Sequence, residues 1–278
     1  MKQYNIDVWL LHFKNALKAK NYSDRTFENY KCSLIKFFNE FEGNVQRATV
    51  AELTAYIASV DSSRSAMAQM YGTLQNFYNH VLKQPKKFGF IPFPKASSKV
   101  RQIPTHEHIL SMIDLTNNVK HKFIISFLYG TGVRLEELVT IKWKDIQRTK
   151  EINPLVVKIH GKGNKERIVP VSESLYKLLM LYCKAYKLTC DTNNEQYVLG
   201  GTKKYSMTSV SKVVKAAAIR AGVPFAMTPH KLRHAYGLYQ HRVNKIELAN
   251  LGILMGHQNS STTMIYATPE VGKFPTPV

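Results

Sequence analysis

A break in the hydrophobic pattern near the first third of the chain divides the sequence into two separately folding parts. Before the break, apolar residues recur at the three- and four-residue spacing of α-helices. Residues 89–104 then carry Gly89, three prolines and two serines, which interrupt helices and strands. The pattern resumes with the helix-capping sequence "THEHILSMI". We therefore predict a domain at residues 1–88, a linker at 89–104 and a second domain at 105–278.

The first domain is predicted to be a compact unit of four helices. In "SDRTFENYKCSLIKFFNEF", Ser23 is placed to cap a helix, and large apolar side chains follow at alternating spacings of three and four residues. These are Phe27, Tyr30, Leu34, Phe37 and Phe41. Such a stripe is far more typical of packing in a helical bundle than of base stacking, so we expect it to form the core.

The second domain is predicted to be mostly helical with a small antiparallel sheet. The segment "LVVKIHGKGNKERIVPV" alternates apolar and polar residues on both sides of a Gly-Lys-Gly-Asn turn, which indicates a β-hairpin. The segments before and after it have helical periodicity. The fold class is therefore mainly α, within the α+β group.

The charge of the chain favours a partner with many phosphates. Lysine and arginine number 39 against 19 aspartates and glutamates, which gives a net charge of +20, and both domains and the linker are positive. Ribosomal proteins, membrane-surface proteins and many nucleases share this feature. Charge therefore indicates the class of partner and leaves the chemistry open.

Cysteine spacing and the N-terminal sequence predict a cytoplasmic protein. Cys32, Cys183 and Cys190 match neither a disulfide framework nor a zinc ribbon. The N-terminal segment lacks the apolar core of a signal peptide, and no stretch approaches the length of a membrane span. We expect no membrane partner.

Two histidines one helical turn apart, His230 and His234, have the spacing of zinc ligands on one helix face. A zinc hydrolase with this spacing needs a glutamate directly after the first histidine, where this chain has Lys231, and Arg233 adds another cation. We therefore predict no metal site. Taken alone, His230 has the alternative of merely capping or packing its helix.

Several basic residues are placed to bind an anion. Arg233 shares a helix face with His230 and offers a guanidinium fork suited to phosphate. Arg134 follows a Gly-Thr-Gly sequence at a predicted helix start, where Glu137 is placed to fix its geometry. Lys162 lies between two glycines at the hairpin tip. Each feature alone is weak, because exposed Arg–Glu pairs and turn lysines are common.

The segment "LMGHQNSSTTMIYATP" adds His257 and, nine positions later, Tyr266 on a short helix capped by a Ser/Thr cluster. Two arginines, a lysine, two histidines and a tyrosine can together transfer a phosphoryl group. The arginines neutralise the phosphate oxygens, a histidine takes the tyrosine proton, the lysine protonates the leaving alkoxide and the phenol oxygen attacks. Neither a metal nor another cofactor is required.

The ordered motifs "TGVRLEEL", "GKGNKERIVPV", "HKLRHAYG" and "LMGHQNSSTTMIYATP" resemble the active-site signature of the tyrosine recombinases, closest to Xer-type recombinases and phage integrases. The N-terminal unit, with "YSDRTFENYKCSLIKFF", resembles their SAM-like core-binding domain, so the resemblance spans nearly the whole chain. It implies a site-specific DNA recombinase or integrase of a chromosome or mobile element. Such an enzyme cuts and rejoins strands through a 3′-phosphotyrosyl intermediate and a Holliday junction.

The resemblance also assigns roles to residues. Arg134 and Arg233 are similar to the two phosphate-binding arginines, and Lys162 to the general acid for the 5′-hydroxyl leaving group. His230 resembles the histidine that assists proton transfer. His257 resembles the histidine that hydrogen-bonds the scissile phosphate.

Tyr266 matches the nucleophile, and Glu137 matches the acidic residue that orients the first arginine. Lys165 and Arg167 are basic neighbours of the hairpin tip, for which we predict contacts with the DNA backbone. The implied partner is double-stranded DNA at a specific site, bound by a homotetramer with a dimer at each site. Accessory DNA-bending or partner proteins and association with the nucleoid are further expectations.

The sequence departs from the family after Tyr266, where "ATPEVGKFPTPV" holds three prolines in twelve residues. Many members extend a C-terminal helix into a neighbouring protomer, and no helix of useful length fits here. We expect a short extended tail or other contacts to join the protomers. Two alternatives to recombination are a type IB topoisomerase activity and a catalytically inactive DNA-binding regulator.

Overall fold

Two compact units, residues 1–100 and 101–278, make up the chain in a computed structural model. The structure describes residues 5–60, 63–94, 102–147, 155–161, 166–189 and 194–256. Among the helices in these ranges, none has both the length and the apolar composition needed to cross a lipid bilayer.

The first unit is a helical bundle, as predicted. Its helices are α1 (Ile6–Ala19), α2 (Asp24–Glu40), α3 (Val50–Ser59), α4 (Arg64–His80) and the short α5 (Lys86–Gly89). The side chain of Ser23 accepts a hydrogen bond from the backbone N–H of Thr26, which confirms the predicted cap of α2. Thr49 and Glu52 form a capping box at the start of α3.

The predicted aromatic stripe on α2 forms the core of this unit. Phe27, Leu34, Phe37 and Phe41 are buried and Tyr30 is half-buried, which confirms packing as their role. Phe88 and Ile91 belong to the same core. The first unit therefore continues beyond residue 88, because apolar side chains of the predicted linker pack against the bundle.

The second unit contains seven α-helices within its described residues, together with a 3-10 helix and three strands. They are α6 (His106–Asp114), α7 (Val119–Thr131), α8 (Leu135–Thr140), the 3-10 helix Trp143–Asp145, β1 (Ile146–Gln147), β2 (Val156–His160), β3 (Glu166–Pro170), α9 (Glu173–Tyr186), α10 (Met207–Arg220), α11 (Pro229–Arg242) and α12 (Leu248–Met255). The mainly helical fold with a small antiparallel sheet is confirmed.

The sheet has the order β1-β2-β3, and both pairs of strands are antiparallel. The sequence predicted β2 and β3 as a hairpin but not the two-residue strand β1. Val157 lies opposite Val169, and both are fully buried. Because side chains alternate across a strand, Arg167 lies on the same inward face as Val169.

Helix α7 lies at the centre of the second unit and packs against α6, α9, α10 and α11. The ring of Phe123 on α7 stacks on that of Tyr182 on α9, with centroids 5.1 Å apart. Helix α12 packs against α11 and β3. These contacts bring together the C-terminal end of α7, the start of α8, the start of β3 and the end of α12.

Candidate active site

The turn between α7 and α8 places Arg134 at the start of α8. Helix α7 ends at Thr131, and Gly132 caps it in the left-handed conformation, with φ of 62°. A Cβ atom at Gly132 would overlap the ring of Tyr236 on α11, so only glycine fits this position. Arg134 is the N-cap residue of α8, and its side chain is 42% exposed.

The carboxylate of Glu137 is hydrogen-bonded by both Arg134 and Arg167. Its Oε1 accepts from Nη1 of Arg134 at 3.0 Å and from Nη1 of Arg167 at 2.9 Å. Its Oε2 accepts from the backbone N–H of Arg134 and from Nη2 of Arg167, each at 2.7 Å. Each carboxylate oxygen thus accepts two hydrogen bonds, so the whole carboxylate has filled its capacity of about four. The predicted contact between Glu137 and Arg134 is present.

Glu137 stays ionised although it is only 6% exposed. Burial raises the pKa of a carboxyl group, but hydrogen bonds from Arg167 and from the backbone and side chain of Arg134, with the charge of Arg167, outweigh burial and lower the pKa of Glu137 to about 2. The ion pair is therefore intact at neutral pH.

Arg167 faces the interior of the protein. Its side chain is 10% exposed, and its Nε–H donates to the carbonyl of Leu254 at 2.8 Å while its two terminal nitrogens bind Glu137. The guanidinium of Arg167 is thus engaged by protein acceptors, and the predicted contact of Arg167 with the DNA backbone stays a prediction. Alternation along β3 puts Arg167 on one face with Val169, but Ile168 on the other face is also apolar, so this signal alone did not identify Arg167 as inward-facing.

Arg233 is a buried arginine on α11, with 3% exposure. Its guanidinium donates to the carbonyl of Gly132 at the end of α7 and to that of Met255 at the end of α12. Arg233 thereby ties together three helices whose ends surround Arg134.

The C-terminal end of α12 is the common anchor of three arginines. Helix ends leave carbonyls without intrahelical donors, and the helix dipole makes this end attractive to cations. The carbonyl partners are Leu254 for Arg167, Gly256 for Arg134 (2.7 Å) and Met255 for Arg233. Three positive side chains and one carboxylate thus share a small region with a net positive charge.

Gly256 ends α12 in the left-handed conformation, with φ of 63°. A Cβ atom here would lie 2.9 Å from Nη1 of Arg167 and 3.4 Å from Nη1 of Arg134. The glycine therefore serves both the helix cap and the close approach of the arginines.

The two histidines of "HKLRH" lie on the first turns of α11. Thr228 caps this helix through the backbone N–H of Lys231. His230 is exposed and His234 is buried, and their rings meet edge to face with centroids 4.3 Å apart. Across the described residues, no three His, Cys, Asp or Glu side chains gather as a metal site would require.

The base of the predicted β2–β3 hairpin is held by His160, which sequence analysis did not single out. Its Nε2 lies 3.0 Å from Oδ1 of the buried Asp145, and its Nδ1 lies 3.1 Å from Oε1 of Glu166 on β3. Asp145 also accepts from the backbone N–H of Lys142 at 2.9 Å. This network joins both strands of the hairpin to the 3-10 helix.

Four predicted site residues lie outside the described residues: Lys162, Lys165, His257 and Tyr266. Among the described ones, Arg134, Glu137 and Arg233 meet at the end of α12, and His230 is on the same helix as Arg233. His257 follows Gly256 directly in the sequence. Guanidinium groups held on fixed acceptors in a net positive region are suited to binding and polarising a phosphate.

Comparison with known proteins gives a family match for both units. The phage integrase family matches residues 103–272, and the N-terminal SAM-like domain of phage integrases matches residues 9–87. The described site residues all lie within the first match.

Individual relatives cover most of the chain. The tyrosine recombinase XerD of Staphylococcus saprophyticus subsp. saprophyticus is 26% identical over 236 residues, which are 80% of this chain and 78% of that protein. Among solved structures, a lambda integrase (75–356) dimer bound to a COC′ core site has a TM-score of 0.77 at 16% identity, with 98% of each chain covered. A lambda integrase tetramer bound to a Holliday junction has a TM-score of 0.73 at 15% identity, covering 94% of this chain and 79% of that one.

Proposed function

Since the chain belongs to the phage integrase family and is a tyrosine-type site-specific DNA recombinase, we propose that it cuts and rejoins DNA through a covalent bond to Tyr266. The observation that carries this proposal is the cluster of Arg134, Glu137 and Arg233 at the end of α12. It is a cationic region with one ionised carboxylate, of the kind that binds the scissile phosphate.

Arg134 and Arg233 bind and polarise that phosphate. Negative charge grows on the phosphate oxygens as the fifth bond to phosphorus forms, and preorganised guanidinium groups stabilise it. Arg134 is the more accessible of the two, with a side chain 42% exposed, and it can turn donors towards DNA while Glu137 holds it. A side-chain cation thus takes the place that a metal ion has in many other phosphoryl-transfer enzymes.

The remaining residues move protons and form the covalent bond. The Tyr266 phenol loses its proton with the help of His230, and its oxygen attacks phosphorus. The bond between phosphorus and the 5′ oxygen breaks, and Lys162 gives that oxygen a proton. The products are a 3′-phosphotyrosyl link and a free 5′-hydroxyl, while His257 hydrogen-bonds the phosphate.

Rejoining follows the same path in reverse and needs no cofactor. The phosphotyrosyl bond conserves the free energy of the broken phosphodiester, so a 5′-hydroxyl of a second duplex can attack it. A phenol with a pKa of about 10 is a weak nucleophile at neutral pH, which is why it needs neighbouring cations and a proton acceptor.

We propose the same assembly for this chain as in the solved structures similar to it. Those lambda integrase structures are a dimer bound to a core site and a tetramer bound to a Holliday junction. A homotetramer, with two protomers on each specific DNA site, supplies four tyrosines for two duplexes. Lys165 remains a proposed contact to the DNA backbone, and the cytoplasm and nucleoid remain the proposed location.

Covalent trapping tests the proposal. Wild type and Tyr266→Phe are incubated with EDTA and nicked duplexes covering the DNA that flanks the gene, and denaturing gels reveal protein–DNA adducts. We expect a 3′ adduct for wild type only. An adduct that survives in Tyr266→Phe would contradict the assigned nucleophile, and DNA binding without an adduct would favour the inactive regulator. Relaxation of supercoiled DNA without strand exchange would favour the topoisomerase.

A further inference from the structure

We infer that Arg167 is a positioning residue, which acts through Glu137 to hold Arg134 where the scissile phosphate binds. This inference deepens the proposed function and rests on it. The contacts that carry it are the two hydrogen bonds from Arg167 to Glu137 and the two from Arg134 to the same carboxylate.

The guanidinium of Arg167 is fixed by internal contacts. Its Nε–H binds the carbonyl of Leu254, and Nη1 and Nη2 bind the two oxygens of Glu137. Its backbone lies in β3, where Arg167 is paired with Ile159 on β2. Arg167 is therefore held by the sheet at one end and by α12 and Glu137 at the other.

Arg167 also fixes the orientation of the Glu137 carboxylate. A carboxylate held by one partner can rotate about its last torsion, because that torsion is broad. Two parallel hydrogen bonds from one planar guanidinium fix the plane of the carboxylate. With Arg167 in place, Oε1 of Glu137 lies 3.0 Å from Nη1 of Arg134. Without Arg167, Glu137 would lose two of its four hydrogen bonds. Its carboxylate would then no longer hold the Arg134 side chain in one position.

Arg167 also affects the net charge around Arg134. Arg134 and Glu137 alone would form a neutral pair, and the carboxylate would offset the charge that Arg134 offers to a phosphate. Arg167 shares that carboxylate, so the three side chains together keep a net charge of +1. Arg167 therefore supports Arg134 in two ways, by orientation and by leaving it electrostatically able to bind an anion.

The test compares cleavage of two nicked substrates under single-turnover conditions. One has an ordinary scissile phosphate, and the other has a methylphosphonate, in which a methyl group replaces one negatively charged oxygen. The neutral methylphosphonate needs less cationic stabilisation. A variant that is slow because Arg134 is misplaced should therefore lose less of its cleavage rate on this substrate than on the phosphate. A general loss of structure changes both rates by the same factor.

We expect Arg167→Met to cleave the phosphate substrate about 10- to 100-fold more slowly than wild type, the range usual for groups that orient a primary ligand. On the methylphosphonate the difference should fall to a few-fold. Arg167→Lys keeps the charge but loses the two-pronged guanidinium, so its cleavage rate should lie between those of wild type and Arg167→Met. The double variant Glu137→Gln/Arg167→Met should be no slower than Glu137→Gln, since both changes break one chain of contacts.

Arg220→Met is the matched control, because Arg220 lies in the same unit and donates to Oγ1 of Thr116 at 3.0 Å. It should cleave like wild type. Thermal melting checks folding, and Arg167→Lys replaces Arg167→Met in the comparison if the methionine variant does not fold. Equal rates for Arg167→Met and wild type, or the same loss on both substrates, would overturn the inference. Absence of an adduct from wild type itself would instead overturn the proposed function.

Discussion

Glu137 near the start of α8 and Arg167 near the start of β3 form a bidentate ion pair, with hydrogen bonds of 2.9 and 2.7 Å. Both side chains are nearly inaccessible to solvent. Removing one partner of a buried pair leaves a charge without compensation, whereas here Arg134 remains as a second cation. The pair therefore links the pH dependence of folding stability to the position of Arg134, the arginine proposed to bind phosphate.

Acid should weaken the folded state through Glu137. Its pKa is lowered from 4.5 to about 2 in the folded protein, so the stabilisation is complete above pH 4.5 and is lost as the pH falls towards 2. The loss for this group is at most about 3 to 4 kcal/mol, from the rule that one pKa unit corresponds to about 1.4 kcal/mol. Urea unfolding at several pH values measures it. Glu137→Gln should show a shallower dependence between pH 4.5 and 2, and an unchanged dependence would contradict this.

Gly132→Ala should destabilise the second unit by about 2 to 5 kcal/mol. The substitution combines left-handed backbone strain with overlap between the new methyl group and the Tyr236 ring. Gly222→Ala is the control, because Gly222 has φ of 66° and no heavy atom within 4 Å of an added Cβ. It should cost only about 1 kcal/mol. Equal midpoints of thermal unfolding for the two variants would refute the proposed overlap.

Gly256→Ala should slow cleavage by the folded protein in addition to lowering its stability. An added Cβ would push against the guanidinium of Arg167 and would touch that of Arg134, beside the place where phosphate is proposed to bind. We expect a loss of about 1 to 2 kcal/mol in unfolding free energy from backbone strain. Cleavage by the folded protein should fall about tenfold or more. A folded variant that cleaves at the wild-type rate would show that these arginines need no fixed helix end.

His160→Ala should slow cleavage by disturbing the hairpin that carries Lys162. His160 joins Asp145 and Glu166 at the base of that hairpin. If Lys162 protonates the leaving oxygen, a substrate with sulfur at the 5′ bridging position should restore the rate, because a thiolate leaves without a proton. The measurement is the ratio of variant to wild-type rates on the two substrates. The same ratio on both would argue that His160 acts elsewhere.

Sequence patterns predicted the elements that depend on local periodicity. The stripe from Phe27 to Phe41, the cap at Ser23 and the β2–β3 hairpin all follow from spacing within one element, and the structure contains them. Strand β1 was missed because two residues are too few to show alternation.

The arrangement around Arg167 was not predictable in the same way. In "ERIVPV" the neighbours Ile168 and Val169 are both apolar, so alternation alone leaves two choices for the inward face. Glu137, its partner, is thirty residues away in sequence. The carbonyls of α12 are backbone groups, and no residue type marks which of them will accept a side-chain donor.

The reliance of three arginines on main-chain oxygens at the end of α12 has a consequence for protein engineering. A carbonyl is present whatever side chain the residue carries, so the anchor tolerates variation where the side chain is not buried. Ile253 is exposed and Leu254 is partly exposed, whereas Met255 is fully buried. A library randomised at residues 253 and 254 would therefore vary the outer surface of this helix while conserving the electrostatic framework of the chemistry.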